Sequence, residues 1–199
     1  MIPHILFFYL TNNSISMEYQ TKEYPMPAIL VLYHSEGNAT KTMAELVAQG
    51  AGSVDGVEVR LKSIADATAD DIRWCDGLAC GSPTYLGIVS WQMKKWWDEH
   101  VKGLWGKVGG KVGCAFSSSG GWGGGAELTC QSILSMLINY GFMVFGLPDY
   151  SGPGFTAHYG AISQTAPKEE SHRKACTILG ARLAEYAADS RPTKTKGSA

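Results

Sequence analysis

The sequence predicts an α/β domain built on a doubly wound parallel sheet, and three observations lead there. Short apolar runs occur without polar alternation, the pattern of strands covered on both faces. Those runs alternate with stretches whose apolar residues recur at helical spacing, which gives right-handed βαβ crossovers. The segments that follow the first, third and fourth runs are rich in Gly, Ser, Thr and Pro, and sheets of this kind bind ligands beyond the carboxyl ends of their strands.

The elements follow in order. Ala28-Ile29-Leu30-Val31-Leu32-Tyr33 is the first strand, and Met43, Leu46, Val47 and Ala51 mark the helix after it. The turn Asp55-Gly56 leads into a second strand in which Val57, Val59 and Leu61 alternate. Asp70-Asp71-Ile72 opens a short helical element, and Gly77 to Gly81 is a third strand. The loop Ser82 to Gly87 leads to a helix carrying Val89, Met93, Trp96 and Trp97, one tryptophan reading as core and the other as surface. Lys111 to Phe116 is the fourth strand, Leu128 to Tyr140 a helix, Phe142 to Leu147 a fifth strand and Lys168 to Ala188 a final amphipathic helix.

A chain of 199 residues with 45% apolar content buries one core, here assigned to residues 28–190. Residues 1–27 read as a flexible N-terminal extension and 191–199 as a flexible tail. Ile5 to Leu10 is apolar but too short to span a bilayer, and neither a positive flank nor a small-residue cleavage site accompanies it. A net charge of -1 without like-charge runs disfavours nucleic acid and anionic membrane as partners. Five cysteines with no C-x-x-C spacing exclude a zinc site and a disulfide framework, and fit a reducing cytoplasm. The five histidines show no metal-ligand spacing.

The loop Ser35-Glu36-Gly37-Asn38-Ala39-Thr40 ends at a helix N-terminus, whose unpaired N–H groups suit a phosphate. Ser35 and Thr40 either donate to such a ligand or simply cap their own helix. Pro83-Thr84-Tyr85-Leu86-Gly87 can offer backbone amides to a flat heterocycle. Ser117-Ser118-Ser119-Gly120-Gly121-Trp122 and the glycines after it form either a mobile linker or a cover ordered by a ligand. Trp105 and Trp122 lie in loops where a ring could stack, and His158 and Tyr159 could rim the pocket. Competing motifs fail. Gly110-Lys111 is followed by Val112, and the earlier glycine that a P-loop requires is Trp105. Neither G-x-G-x-x-G after a strand nor G-x-S-x-G occurs, and no acidic cluster ends the first strand.

Taken together, Leu32-Tyr33-His34-Ser35 with Thr42-Met43-Ala44, Gly81 to Gly87 with Gln92-Met93, Gly103-Leu104-Trp105, Phe116 to Gly120 with Gly123-Gly124-Gly125 and Glu127, and Tyr159-Gly160-Ala161 resemble the flavodoxin superfamily, and within it the WrbA-type NAD(P)H:quinone oxidoreductases. The resemblance spans about residues 28–188. It implies a five-stranded sheet in the order 2-1-3-4-5 with helices on both faces, and FMN as cofactor. The FMN phosphate would lie on Ser35, Asn38, Ala39 and Thr40. The isoalloxazine would rest along Pro83, Thr84, Tyr85, Leu86 and Gly87. Ser117, Ser118, Ser119, Gly120, Gly121 and Trp122 would close over it, with Trp105, Tyr140 and His158 taking the substrate.

Three departures stand out, one being that the quinone-reductase members often carry His where Asn139 and Tyr140 stand here. Asn38 occupies the place where the family usually has glycine, and the insertion that its quinone reductases carry between strands two and three is missing around Ala65 to Ala69.

The functional expectation is an FMN enzyme of the cytoplasm, a homo-oligomer (dimer or tetramer), passing electrons from NAD(P)H to a quinone or similar small acceptor. It names no catalytic acid or base, because the chemistry is the cofactor's. The alternative is an electron carrier docking on redox partner proteins. Carriers of this superfamily are strongly acidic and this chain is not, which favours the enzyme at this stage.

Overall fold

The computed structural model describes residues 5–11 and 14–20 by their backbone, and residues 26–148 and 151–190 with their side chains. Ile5–Thr11 (β1) and Ser14–Gln20 (β2) pair antiparallel as a sheet of their own, with Ile5 opposite Gln20 and Thr11 opposite Ser14. Residues 1–4, 12–13 and 21–25 of the N-terminal extension and the 191–199 tail lie outside the described residues.

The run Ala28–Tyr33 (β3) is almost wholly buried, as a strand covered on both faces must be. Ala39–Gly52 (α1) leads to Glu58–Ser63 (β4), then Ala69–Trp74 (α2) and Gly77–Tyr85 (β5). Ile88–Val89 (β6), Trp91–Trp96 (α3), Val112–Ser119 (β7), Ala126–Asn139 (α4), Met143–Val144 (β8), Ala161–Gln164 (β9) and Glu170–Asp189 (α5) complete the chain. β4, β3, β5, β7 and β8 lie side by side in parallel, and β9 pairs with the later half of β7. Counted along the main sheet, that is the order 2-1-3-4-5.

α1 and α5 pack together on one face. Small residues let them approach closely: a Cβ on Gly180 would stand 1.9 Å from the Val47 carbonyl oxygen, and one on Gly50 2.0 Å from that of Thr177. On the other face Leu137 of α4 and Phe142 press against Gly113 of β7, beside α3.

Three elements differ from their sequence-based assignment. The fifth strand is not a continuous run from Phe142 to Leu147 but two short pieces, β8 and β9, separated by residues 145–160. Burial of Phe145 and Leu147 is satisfied off the sheet: Phe145 stacks edge-on against Tyr186 of α5 at 4.9 Å, and Leu147 is buried. The third strand runs on through Pro83 to Tyr85 and turns back as a hairpin, Thr84 opposite Val89 and Tyr85 opposite Ile88. Trp96 and Trp97 are both buried, at 5% and 2% exposure. A π turn, Trp97–Val101, follows α3 and widens the spacing, so two consecutive tryptophans pack edge to face at 5.9 Å.

Candidate functional site

The loops after β3, β5 and β7 meet at the carboxyl edge of the sheet, around a cleft of about 260 Å3. Ser35, Glu36, Gly37, Ala39 and Thr40 form one wall, Pro83, Thr84 and Tyr85 the second, and Ser118, Ser119, Gly120 and Thr165 the third. Asn38 is the N-cap of α1 in the left-handed region, φ 64 and ψ -8, and its side chain caps nothing. Asparagine tolerates that conformation better than most residues, so the turn keeps the form that a glycine would give it. The first-turn N–H groups of a helix have no intrahelical acceptors, and those of α1 open at this loop without a side-chain cap.

Beneath the cleft lies a layer of hydroxyls. Thr40 Oγ1 stands 2.8 Å from Ser118 Oγ, both buried. Thr129 of α4 donates to Thr84 Oγ1 at 2.9 Å, Thr84 Oγ1 lies 3.0 Å from Ser117 Oγ, and Ser117 donates to the Ser82 carbonyl at 2.9 Å. Ser82 donates in turn to Ser90 Oγ at 3.0 Å, below the start of α3. These bonds run across the sheet and tie the second and third loops to one another.

Among the described residues, Glu36 is the single charged side chain on the cleft wall. Its Oε1 accepts from Gln92 Nε2 at 2.7 Å and lies 3.8 Å from His34 Nε2. Burial holds the His34 pKa below its usual value, partly countered by the charge of Glu36. The Tyr85 phenol is raised by burial and by Glu36.

The hairpin tip, Leu86-Gly87, has positive φ at both positions, 48 and 90, as tight two-residue hairpins require. The Leu86 side chain is fully exposed, at 105%. Together with Tyr85, Ile88, Trp91 and Met136 it lines a second, apolar groove of about 560 Å3 beside the cleft.

The remaining site residues expected from the sequence fall elsewhere. Ser117 lies under the floor in the hydroxyl chain. Gly121 accepts from Ser119 Oγ at 2.9 Å, and Trp122 packs edge-on against His172 of α5 at 5.2 Å, where Phe155 also meets that histidine. Trp105 and Tyr140 do not rim the cleft. α4 starts at Gly125, packed against Gly87 at the hairpin tip, and its 14 residues carry the chain about 21 Å to the opposite edge. There Tyr140 stacks on Trp105 and Trp97, at 5.3 Å each. His158 lies in the segment between β8 and β9, its Nδ1 3.2 Å from the Leu147 carbonyl oxygen, and is not on the cleft wall.

Glu36, Gly37 and Thr165 are the wall residues that sequence reasoning passed over. The signal for Glu36 was its place within the first loop. Thr165 gave none: its role depends on a positive φ of 54 and on its N–H reaching the Ser119 carbonyl at 2.8 Å. The five cysteines are all buried, and burial pushes those of Cys75, Cys80 and Cys176 up to about 12, so none is poised as a nucleophile.

The sequence model of the flavodoxin family matches residues 31–168. The chain belongs to the flavodoxin family. Its members bind FMN, and this chain is a flavodoxin-family FMN protein. The chain is 55% identical over 163 residues to a flavodoxin from Aquifex aeolicus, covering 82% of this chain and 88% of that one. It is 34% identical over 154 residues to an NAD(P)H dehydrogenase (quinone) from Chromohalobacter salexigens, covering 66% and 76%. A solved WrbA-like flavodoxin from Agrobacterium tumefaciens superposes with a TM-score of 0.66 at 26% identity, over 83% of this chain and 99% of that one.

These findings overturn the expectation of a quinone-reducing enzyme. The relative at 55% identity is a flavodoxin, and the quinone dehydrogenase is far more distant at 34%. Net charge sums over the whole chain and does not describe the surroundings of the cleft, where Leu86, Ile88 and Trp91 are exposed beside Lys94. Among the described residues no helix is long and apolar enough to cross a membrane, and no cluster of side chains suits a metal ion.

Proposed function

We propose that this flavodoxin is an electron carrier that takes electrons from one redox protein and delivers them to another. The observation that carries the reading is the 55% identity to a flavodoxin over 82% of the chain. The donor set of the cleft fits FMN: uncapped N–H groups at the start of α1 and the hydroxyls of Ser35 and Thr40 suit a phosphate. In this reading Ser35, Asn38, Ala39 and Thr40 hold the phosphate, Pro83 to Gly87 position the ring, and Ser117 to Ser119 with Gly120 support its edge. Gly121 and Trp122 brace the third loop against α5 instead of covering the ring. Bound FMN supplies the storage of one or two electrons.

The hairpin supports docking. Ile88 and Trp91 are exposed next to the fully exposed Leu86, so a partner protein can bury apolar area right beside the ring. A contact of that size is brief, as a carrier requires. The test is reduction of the FMN-loaded protein, followed at its visible flavin bands. Reduction by NADPH should require a flavin-containing reductase protein, with nicotinamide alone slower by at least about a hundredfold. Fast reduction by nicotinamide alone, with multiple turnovers of benzoquinone, would defeat the reading.

A further inference from the structure

An exposed carboxylate, Glu36, stands in the wall of a cleft that suits a phosphate, and among the described residues no Lys or Arg shares that wall. Such a group opposes a dianionic ligand, so another role must offset that cost. Glu36 is bonded across the site: Gln92 of α3 donates to its Oε1 at 2.7 Å on an exposed edge, and its charge helps to raise the pKa of the Tyr85 phenol. His34 Nε2, buried and without a hydrogen bond, faces it at 3.8 Å. Tyr85, for its part, forms both a wall of the cleft and a wall of the apolar groove, so its orientation sets the shape of both.

We infer that Glu36 is a positioning residue: it ties the phosphate loop to Gln92 of α3, the helix that follows the Tyr85 hairpin, so that the two loops flanking the flavin hold a fixed spacing. The bond to Gln92 links residues 56 positions apart. The carboxylate therefore has two separable effects. Its oxygens brace the ring-binding hairpin, and its charge weakens the hold on the phosphate.

The inference rests on the placement of FMN in this cleft, and the test separates the two ideas. Apoprotein is titrated with FMN and with riboflavin, at low and at high salt, for Glu36→Gln and Glu36→Ala, with Thr40→Val as the control for placement. Glu36→Gln keeps an acceptor for Gln92 and removes the charge. It should tighten FMN about three- to tenfold at low salt, a gain that fades near 0.5 M salt (a round figure, about where screening becomes short-ranged), and leave riboflavin unchanged. Glu36→Ala removes the brace as well and should weaken riboflavin about fivefold or more, since the ring loop is then unsupported. If Glu36→Ala binds riboflavin like the native protein, or if Glu36→Gln fails as Glu36→Ala does, the brace is refuted. If Thr40→Val does not discriminate FMN from riboflavin, the placement of the phosphate itself is at fault.

Discussion

Thr40→Val tests the phosphate site with the least disturbance of shape. Valine matches threonine in volume, so the change deletes one hydroxyl and little else. Thr40 is 1% exposed and its Oγ1 bonds Ser118 Oγ at 2.8 Å, while Ser118 is 4% exposed. Two losses follow, and they appear in different measurements. The Ser118 hydroxyl loses a buried partner with or without ligand, which costs about 1–3 kcal/mol of folding stability. The phosphate loses a hydroxyl donor to a charged acceptor, worth about 1.5–3 kcal/mol of affinity, or roughly ten- to a hundredfold in Kd. Urea unfolding of the apoprotein reads the first, and flavin titration monitored by fluorescence quenching reads the second. Riboflavin, which lacks the phosphate, should bind the variant as it binds the native protein. Thr40→Ser should restore both losses. An equal fall in affinity for FMN and riboflavin would refute the reasoning, since the hydroxyl would then act through the loop and not on the phosphate.

Two further substitutions probe the frame. Leu86→Asn replaces a fully exposed leucine at φ 48 with a residue at ease there, relieving about 1 kcal/mol of backbone strain. Its Tm should hold or rise while reduction by a partner reductase slows severalfold, and a clearly lowered Tm would show that the leucine packs on something. Asp71 is nearly buried, pairs with Lys62 at 2.7 Å and caps α2 through Thr68. Burial acts to raise its pKa, but the bonds from Lys62 and Thr68 outweigh it and hold the carboxyl below its ordinary value. A depressed carboxyl stabilises the fold above that ordinary value and loses the contribution as pH falls below about 4. Asp71→Asn should cost about 2 kcal/mol at neutral pH and show a shallower loss on acidification. Equal acid slopes in the two proteins would count against the pairing.

Much of this architecture can be read from local residue patterns. The run from Ala28 to Tyr33 announces a central strand, and the polar loop after it announces a ligand edge, because both depend only on neighbours in sequence. Phe142 to Leu147 reads as a strand for the same reason. What it hides is that Phe145 finds its partner in Tyr186, more than forty residues on. Glu36 was hidden likewise, since its meaning lies in Gln92. Trp105 and Tyr140 are a different case. A residue between the end of a helix and the start of the next strand belongs at the amino edge of a doubly wound sheet, away from the ligand. Connectivity held that information, and aromatic character obscured it. Among the wall residues Thr165 alone needed backbone geometry, because nothing local tells a threonine to adopt a positive φ.

The division of the last strand bears on how this protein behaves when crowded. A sheet edge with a long row of unpaired N–H and C=O groups templates the addition of another chain. Here one margin of the sheet is two residues, Met143–Val144, then an excursion packed on α5, then four residues, Ala161–Gln164. Neither piece offers an incoming strand enough register to take hold. The opposite margin, β4, carries Glu58, Arg60 and Lys62, charges that an added strand would have to cover. An incoming strand would therefore find little purchase at either border of this sheet.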